Sequence, residues 1–143
     1  MEGNKIAAGT LIVSASTRRA MYSIRAPHKS HRLTWGLWGG MKDSGESLKN
    51  CLLREIKEEM GFLPTIERIY PFDVYQSDDK KFMYYTYICV VEKEFSPWIS
   101  SENCGYCWID VGIWPKPMHY GAKKTLCTKQ SLEKINTILD QHA

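Results

Sequence analysis

Three glutamates stand close together near the middle of the chain, at positions that one face of a helix can share. Glu55, Glu58 and Glu59 are spaced i, i+3 and i+4, which places them within roughly a 100° arc of an α-helix. Like charges at this spacing repel one another, so a cluster that stays ionised calls for a cation. Oxygen ligands suit hard ions, and Mg²⁺ is commonly held by carboxylates together with substrate phosphates. The cluster therefore indicates Mg²⁺ or Mn²⁺ and phosphoryl chemistry, with a solvated acidic face as the alternative.

The helix that must carry these acids is predicted over residues 47–60. This stretch contains no proline or glycine, and Gly61 follows it as a stop signal. Its apolar residues centre on a direction roughly 125° away from the acids; they are Leu52, Leu53, Ile56 and Met60. One face of the helix is thus suited to packing against a core, and another presents the three carboxylates.

The same glutamates belong to a longer pattern that spans residues 40–62, GMKDSGESLKNCLLREIKEEMGF. This segment resembles the Nudix box of the MutT-like Nudix hydrolases. That box asks for Gly, five residues, Glu, seven residues, Arg-Glu, an apolar residue, one residue, Glu-Glu, one residue, Gly and an apolar residue. Every position is satisfied, by Gly40, Glu46, Arg54, Glu55, Ile56, Glu58, Glu59, Gly61 and Phe62.

The resemblance implies a metal site and a fold to hold it. Glu58 and Glu59 are implied as the main metal ligands, and the carbonyl of Gly40 completes the metal shell. Glu55 is implied either as a third ligand or as the group that accepts a proton from the attacking water. The implied fold is an α/β/α sandwich with a mixed β-sheet, in which the box forms a loop-helix-loop beside the sheet.

Further charged residues have implied or suggested roles around that site. Arg54 and Glu46 are implied as an orienting pair that holds the catalytic acids in register. Arg25 lies on a predicted strand where related sequences often carry an arginine that contacts phosphate, with an ordinary surface residue as the alternative. Arg32, in a basic loop, is a second substrate-binding candidate. Glu102 is similar in position to a loop glutamate that serves as the base in some relatives.

The rest of the chain alternates between strand and helix patterns, which predicts one α/β domain over residues 1–143. No internal repeat, low-complexity tract or linker divides it. Residues 26–34 form a basic loop, and residues 123–141 carry the apolar stripe of a closing helix. The predicted strands cover residues 6–14, 20–25, 35–41, 65–76, 81–92 and 105–111.

Composition narrows the class of protein further. With 43% apolar and 24% charged residues, the chain has the composition of a globular protein rather than a disordered one. No apolar run approaches the roughly 20 residues that cross a bilayer, so no membrane association is expected. The five cysteines, without a secretory signal pattern, indicate reduced thiols and a cytoplasmic location. Residues 1–43 hold seven basic and two acidic side chains, a balance that attracts phosphates.

These features and the resemblance together predict a Mg²⁺- or Mn²⁺-dependent hydrolase. It is expected to cut a diphosphate linkage in a nucleoside diphosphate derivative by attack of metal-activated water on phosphorus. Two alternatives are a non-catalytic Nudix-fold module that senses a nucleotide, and an RNA 5′-end pyrophosphohydrolase. The intact box favours the enzyme, and no RNA-binding motif supports the RNA substrate.

The expected partner is a small nucleotide, and the sequence leaves a homodimer open. The identity of the nucleotide lies outside the box, where short substrate motifs are absent and Trp38 stands in place of the common proline.

Overall fold

The computed structural model describes residues 4–143, so the first three residues of the predicted domain lie outside the described part. It contains seven strands and three helices in the described chain. The strands are β1 Lys5–Ser14, β2 Arg19–Arg25, β3 Trp35–Gly36, β4 Trp38–Met41, β5 Arg68–Gln76, β6 Phe82–Val91 and β7 Asn103–Asp110; the helices are α1 Leu48–Met60, α2 Tyr120–Leu126 and α3 Lys129–Asp140.

The strand β1 is the centre of the sheet. It runs parallel to β6 along its whole length, from the Lys5–Phe82 pair to the Ser14–Val91 pair. Its other edge is shared, because β4 pairs with its first half and β2 with its second half. The order β3-β2-β1-β6-β5 is completed by β7, which pairs with β2, and every pairing except β1–β6 is antiparallel. The sheet is therefore mixed, as predicted.

Helices cover both faces of this sheet. The alternation of side chains along β1 sends Ala8 and Ile12 toward α1, and Leu11 and Val13 toward α2 and α3. Burial of apolar surface on both faces supplies the main stabilisation of the fold. The predicted α/β/α sandwich is confirmed, and α1 is fixed against the strands that carry the start of the box.

Two predicted elements differ from the structure. Residues 35–41 form two short strands rather than one, because β3 pairs with β2 while β4 pairs with β1. The prediction of one closing helix over residues 123–141 is wrong. The chain breaks between α2 and α3, where the Thr128 hydroxyl caps α3 by accepting from the Ser131 N–H, and the Ser131 hydroxyl donates to the Thr125 carbonyl (2.6 Å). These side chains satisfy backbone groups that a continuous helix would have paired.

Two further observations bear on the class of protein. Within residues 4–143, no helix is long and apolar enough to cross a membrane. All five cysteines are free thiols, and Cys51 and Cys89 are buried.

Candidate active site

The helix α1 is fixed at both ends by local sequence signals. The Ser47 hydroxyl accepts a hydrogen bond from the Asn50 N–H, which caps the first turn. Gly61 takes the left-handed conformation (φ 81°), and its N–H donates to the Lys57 carbonyl. With Leu52 and Ile56 fully buried against the sheet, the rotation of the helix is set. Glu55 and Glu59 consequently face β4, whereas Glu58 lies more exposed beside Arg54.

Glu59 is a buried carboxylate, only 4% exposed. It accepts hydrogen bonds from the Gly39 N–H (2.7 Å) and from the Asn103 side-chain amide (3.0 Å). Burial raises the pKa of Glu59 to about 8, and the negative charges of Glu55 and Glu102 raise it further, while the two hydrogen bonds oppose the shift. Near neutral pH the Glu59 carboxyl group therefore favours its protonated form, and positive charge beside it would be needed to favour the ionised form.

Two glycines on β4 allow this close approach. Gly39 pairs with Gly9 of β1 and has a positive φ of 153°, and a side chain there would overlap the Ala8 carbonyl. Its N–H is therefore free to meet Glu59. At Gly40, a β-carbon would lie 2.6 Å from the carboxyl carbon of Glu55. The carboxylate of Glu55 thus rests directly against the Gly40 backbone.

Arg54 joins the remaining acids through one guanidinium group. Its Nε and Nη2 donate to both carboxylate oxygens of Glu46 (2.7 and 3.0 Å). Its Nη1 donates to Glu55 (3.0 Å) and to Glu58 (3.2 Å). The bonds from Arg54, followed by a backbone N–H, lower the pKa of Glu46 to about 2. Burial raises the pKa of Glu55, and the bond from Arg54 opposes that change. The structure brings Arg54 and Glu46 together in the pairing that the sequence predicts.

The loop that precedes β7 lies against the C-terminal end of α1. The Trp98 N–H donates to the Met60 carbonyl (2.8 Å), and the Ser100 N–H donates to the Glu59 carbonyl (3.0 Å). These bonds attach residues 96–102 to the C-terminal end of α1. Glu102 and the start of β7 are thereby placed beside the box helix.

Glu102 lies at the rim of the site, with its side chain 53% exposed. Its carboxylate is 3.7 Å from the Lys29 ammonium, and its carbonyl accepts from the Ala26 N–H (3.0 Å). Its charge acts on both Glu55 and Glu59, because it contributes to the raised pKa of each. The structure therefore places the predicted loop glutamate near the predicted catalytic acids.

The two arginines that the sequence singles out have different surroundings. Arg25 ends β2, and its Nε donates to the Ser30 carbonyl (2.7 Å), which holds the guanidinium against the basic loop. Its positive charge adds to the lowering of the pKa of His119 and opposes the rise in the pKa of Tyr84. Arg32 is exposed, and within residues 4–143 it makes no hydrogen bond or ion pair through its side chain.

Two further polar residues belong to the site. Asn103 is buried and binds Glu59 directly, although the sequence offers no local signal for that contact. Burial raises the pKa of Tyr84, and the charges of Glu59 and Glu55 raise it further. The Tyr84 hydroxyl lies over Gly9 so closely that a side chain at Gly9 would overlap it. A glycine inside a strand of larger residues is the available sequence signal for such an approach.

The donor set fits a hard divalent cation. The Gly40 carbonyl and the carboxylates of Glu55, Glu58 and Glu59 are all oxygen donors, which Mg²⁺ and Mn²⁺ prefer. Within residues 4–143, no three His, Cys, Asp or Glu side chains already converge as a metal site. Glu55 and Glu58 are instead bound to Arg54, and Glu59 to Gly39 and a side-chain amide. The buried Glu59 carboxyl group, whose ionised form is disfavoured unless positive charge lies beside it, is the observation that favours a cation.

Comparison with known proteins agrees with this geometry. The sequence pattern of the NUDIX domain matches residues 3–128, and the chain therefore belongs to the NUDIX family. With its box intact, it is a Nudix hydrolase that acts on a phosphoric anhydride. No curated protein matched the chain in a sequence search.

Solved structures support the fold. A MutT NUDIX hydrolase from Burkholderia pseudomallei is 20% identical, with a TM-score of 0.67 over 92% of this chain and 98% of that one. A MutT protein from Methanosarcina mazei Go1 is also 20% identical, with a TM-score of 0.66 over 96% and 97%. The NUDIX domain of Shewanella oneidensis NrtR, solved in complex with ADP ribose, is 14% identical, with a TM-score of 0.64 over 100% and 91%.

Proposed function

We propose that the protein hydrolyses the diphosphate linkage of a nucleoside diphosphate derivative and uses Mg²⁺ or Mn²⁺ to do so. The observation that carries this proposal is the meeting of the Glu55 and Glu59 carboxyl groups at the Gly39–Gly40 backbone, where burial disfavours their ionised forms and a bound divalent cation would favour them. A nucleotide substrate brings phosphates to the same place, and the positive charge of Arg25 lies nearby.

The cation would be held by the Gly40 carbonyl and by Glu55, Glu58 and Glu59. When bound, such an ion neutralises phosphate charge and lowers the pKa of a coordinated water. Glu58 is the most accessible of the three acids, with 58% of its side chain exposed, so it can turn from Arg54 toward the Gly40 carbonyl. Arg54 remains paired with Glu46 and keeps the helix face in register.

The chain's own acids supply the proton acceptor for the attacking water. Glu55 is favoured, because its carboxylate rests against Gly40 and its pKa is raised by burial, which makes it a better base near neutral pH. Glu102 is the alternative, since it stands at the rim and can swing inward. Arg25 is proposed to bind a phosphate of the substrate.

A turnover assay that separates each substrate from its nucleoside monophosphate, sugar phosphate or pyrophosphate products by chromatography tests the proposal. The purified protein is incubated with nucleotide sugars, ADP-ribose, nucleoside triphosphates, dinucleoside polyphosphates and 5′-triphosphate RNA, with Mg²⁺ or Mn²⁺ and then with excess EDTA. We expect turnover of at least one nucleotide, loss in EDTA and recovery when metal is restored. Full activity in EDTA would contradict the metal requirement. Glu133→Gln, on the exposed side of α3, is the matched control for glutamate substitutions in the box.

The sensor alternative predicts a different result in the same assay. A nucleotide that binds without turnover, with or without metal, would favour a non-catalytic module over the hydrolase. Selective cleavage of 5′-triphosphate RNA would favour the RNA enzyme. A cytoplasmic location is part of the proposal and is supported by the five free thiols, while a homodimer stays a prediction for sedimentation to test.

A further inference from the structure

Two histidines that the proposed chemistry does not use lie together beside Arg25. The rings of His31 and His119 are 4.7 Å apart between centroids, with their planes at 54°. His31 is exposed and His119 is partly buried. The charges of both His31 and Arg25 act on His119. Three nitrogen-bearing side chains, from the basic loop, from β2 and from the start of α2, therefore lie close together.

The His119 ring is held in one tautomer. Its Nδ1 accepts a hydrogen bond from the Gly121 N–H (3.1 Å), so that nitrogen carries no proton and Nε2 carries the hydrogen. Burial lowers the pKa of His119, and the neighbouring charges of His31 and Arg25 lower it further, which keeps the ring neutral. The backbone N–H of His119 donates to the Trp35 carbonyl (2.7 Å), which attaches the residue to β3. His119 thus presents a fixed Nε2–H donor.

His31 is positioned by the backbone of the same loop that holds Arg25. It adopts a left-handed conformation (φ 54°), and its carbonyl accepts from the Thr34 hydroxyl (2.6 Å). The Thr34 carbonyl accepts from the Arg25 N–H (3.0 Å). Histidine is one of the residues that tolerate left-handed backbone, and in this conformation the His31 imidazole lies beside His119.

The ligand that suits these donors is an anion with several oxygen acceptors. Within the described chain, no carboxylate forms an ion pair with Arg25, His31 or His119. Arg25 of β2 pairs with Asn103 of β7, and the Asn103 amide donates to Glu59 (3.0 Å), so the group adjoins the carboxylate site. We propose that Arg25, His31 and His119 form a phosphate-binding subsite that holds one phosphate of the substrate. This assignment to substrate rests on the proposed function.

Side-chain NMR of the histidines tests the subsite without catalysis. The protein is titrated with inorganic phosphate in EDTA at pH 7, with chloride at matched ionic strength as the salt control. We expect the imidazole signals of His31 and His119 to shift with phosphate and those of His28 and His142 to stay. His28 is exposed in the same loop, and His142 binds Tyr70 at the far end of the chain, so both report non-specific binding.

Asparagine variants remove the rings and keep the local backbone. His119→Asn retains a side chain that caps helices well, and His31→Asn retains a residue that tolerates left-handed backbone. Each should weaken phosphate binding at least about tenfold, the scale expected when a hydrogen bond to a charged group is lost. With a cleaved nucleotide, each should raise KM and leave kcat nearly unchanged. His28→Asn should change neither quantity.

The outcomes separate this subsite from the proposed function. If phosphate leaves the signals of His31 and His119 unmoved, or moves all four histidines equally, the subsite is wrong even when nucleotides are cleaved. If phosphate moves only those two signals and no nucleotide is cleaved, the subsite stands and the hydrolase proposal fails. Unchanged phosphate affinity in both His119→Asn and His31→Asn would also overturn the subsite.

Discussion

Gly40→Ala separates the position of Glu55 from the stability of the fold. Gly40 is in β4, and a β-carbon built there lies 2.6 Å from the carboxyl carbon of Glu55, whereas ordinary contacts begin near 3.4 Å. The nearest atoms belong to the far end of a flexible side chain, so Glu55 can move away while the backbone stays in place. The movement also stretches the 3.0 Å bond from Arg54.

The expected magnitude follows from that displacement. A shift of the carboxylate by somewhat less than about 1 Å is enough to relieve the overlap, and misplacement by ~1 Å can reduce a rate about 10²-fold. We therefore expect kcat to fall by roughly that factor. Stability should change by less than about 1 kcal/mol, because replacing glycine also reduces the freedom of the unfolded chain.

The assay combines turnover at saturating Mg²⁺ with thermal unfolding in EDTA. Gly36→Ala is the matched control, since a β-carbon there would lie 3.4 Å from the nearest atom, in His119, at ordinary contact distance. Wild-type turnover in folded Gly40→Ala would refute the placement of Glu55 at the reacting centre. Loss of folding in that variant would refute the argument that the carboxylate yields before the backbone.

Four other substitutions test neighbouring parts of the site. Arg25→Ala should raise KM and leave thermal unfolding unchanged. Unaltered Michaelis parameters would show that Arg25 is an ordinary surface residue. Glu58→Gln should lower turnover by at least ~10²-fold while stability in EDTA holds or rises, since one like-charge repulsion disappears; wild-type turnover with lower stability would show a structural role. Arg54→Ala should lower both turnover and stability in EDTA, because Glu46 and Glu55 lose their shared partner; melts that match wild type would contradict this. Burial raises the pKa of Glu59 to about 8 from the ordinary 4.5, so the folded protein keeps this proton longer than the unfolded chain. The contribution of Glu59 to stability in EDTA should then be greatest below about pH 4.5 and should be lost as pH rises to about 8. Thermal melts of Glu59→Gln should show a smaller loss of stability over this pH range than melts of the wild type. An equal loss in both proteins would contradict the assignment.

The box helix was predictable because its signals are local. The Ser47 cap, the uninterrupted helical stretch and the Gly61 stop all lie within a few residues of the ends that they determine. The spacing of the acids then fixed which side of the helix they occupy. The break at Thr128 has a local signal too, since its hydroxyl accepts from the Ser131 N–H and caps α3. The apolar periodicity of residues 123–141 nevertheless predicts one continuous helix.

The rest of the site depends on contacts between distant segments, which periodicity cannot predict. Asn103 meets Glu59 because the loop before β7 docks on the end of α1 through backbone bonds. Tyr84 lies over Gly9 because β6 runs parallel to β1 and Gly9 leaves room for its hydroxyl. Residues 35–41 form two strands because β3 pairs with β2 and β4 pairs with β1. This difference depends on the neighbouring strands and not on the local sequence of the segment.

The two edges of β1 acquire their partners at different times during synthesis. The strands β2 and β4 follow closely along the chain and can cover one edge early, whereas the parallel partner of Lys5 is Phe82. At roughly 5–20 residues per second, the ribosome needs several seconds to deliver β6. Over that interval β1, which has no charged residue after Lys5, presents an apolar edge that can pair with another chain. Its vulnerability to aggregation is therefore set by translation speed as well as by the stability of the finished fold.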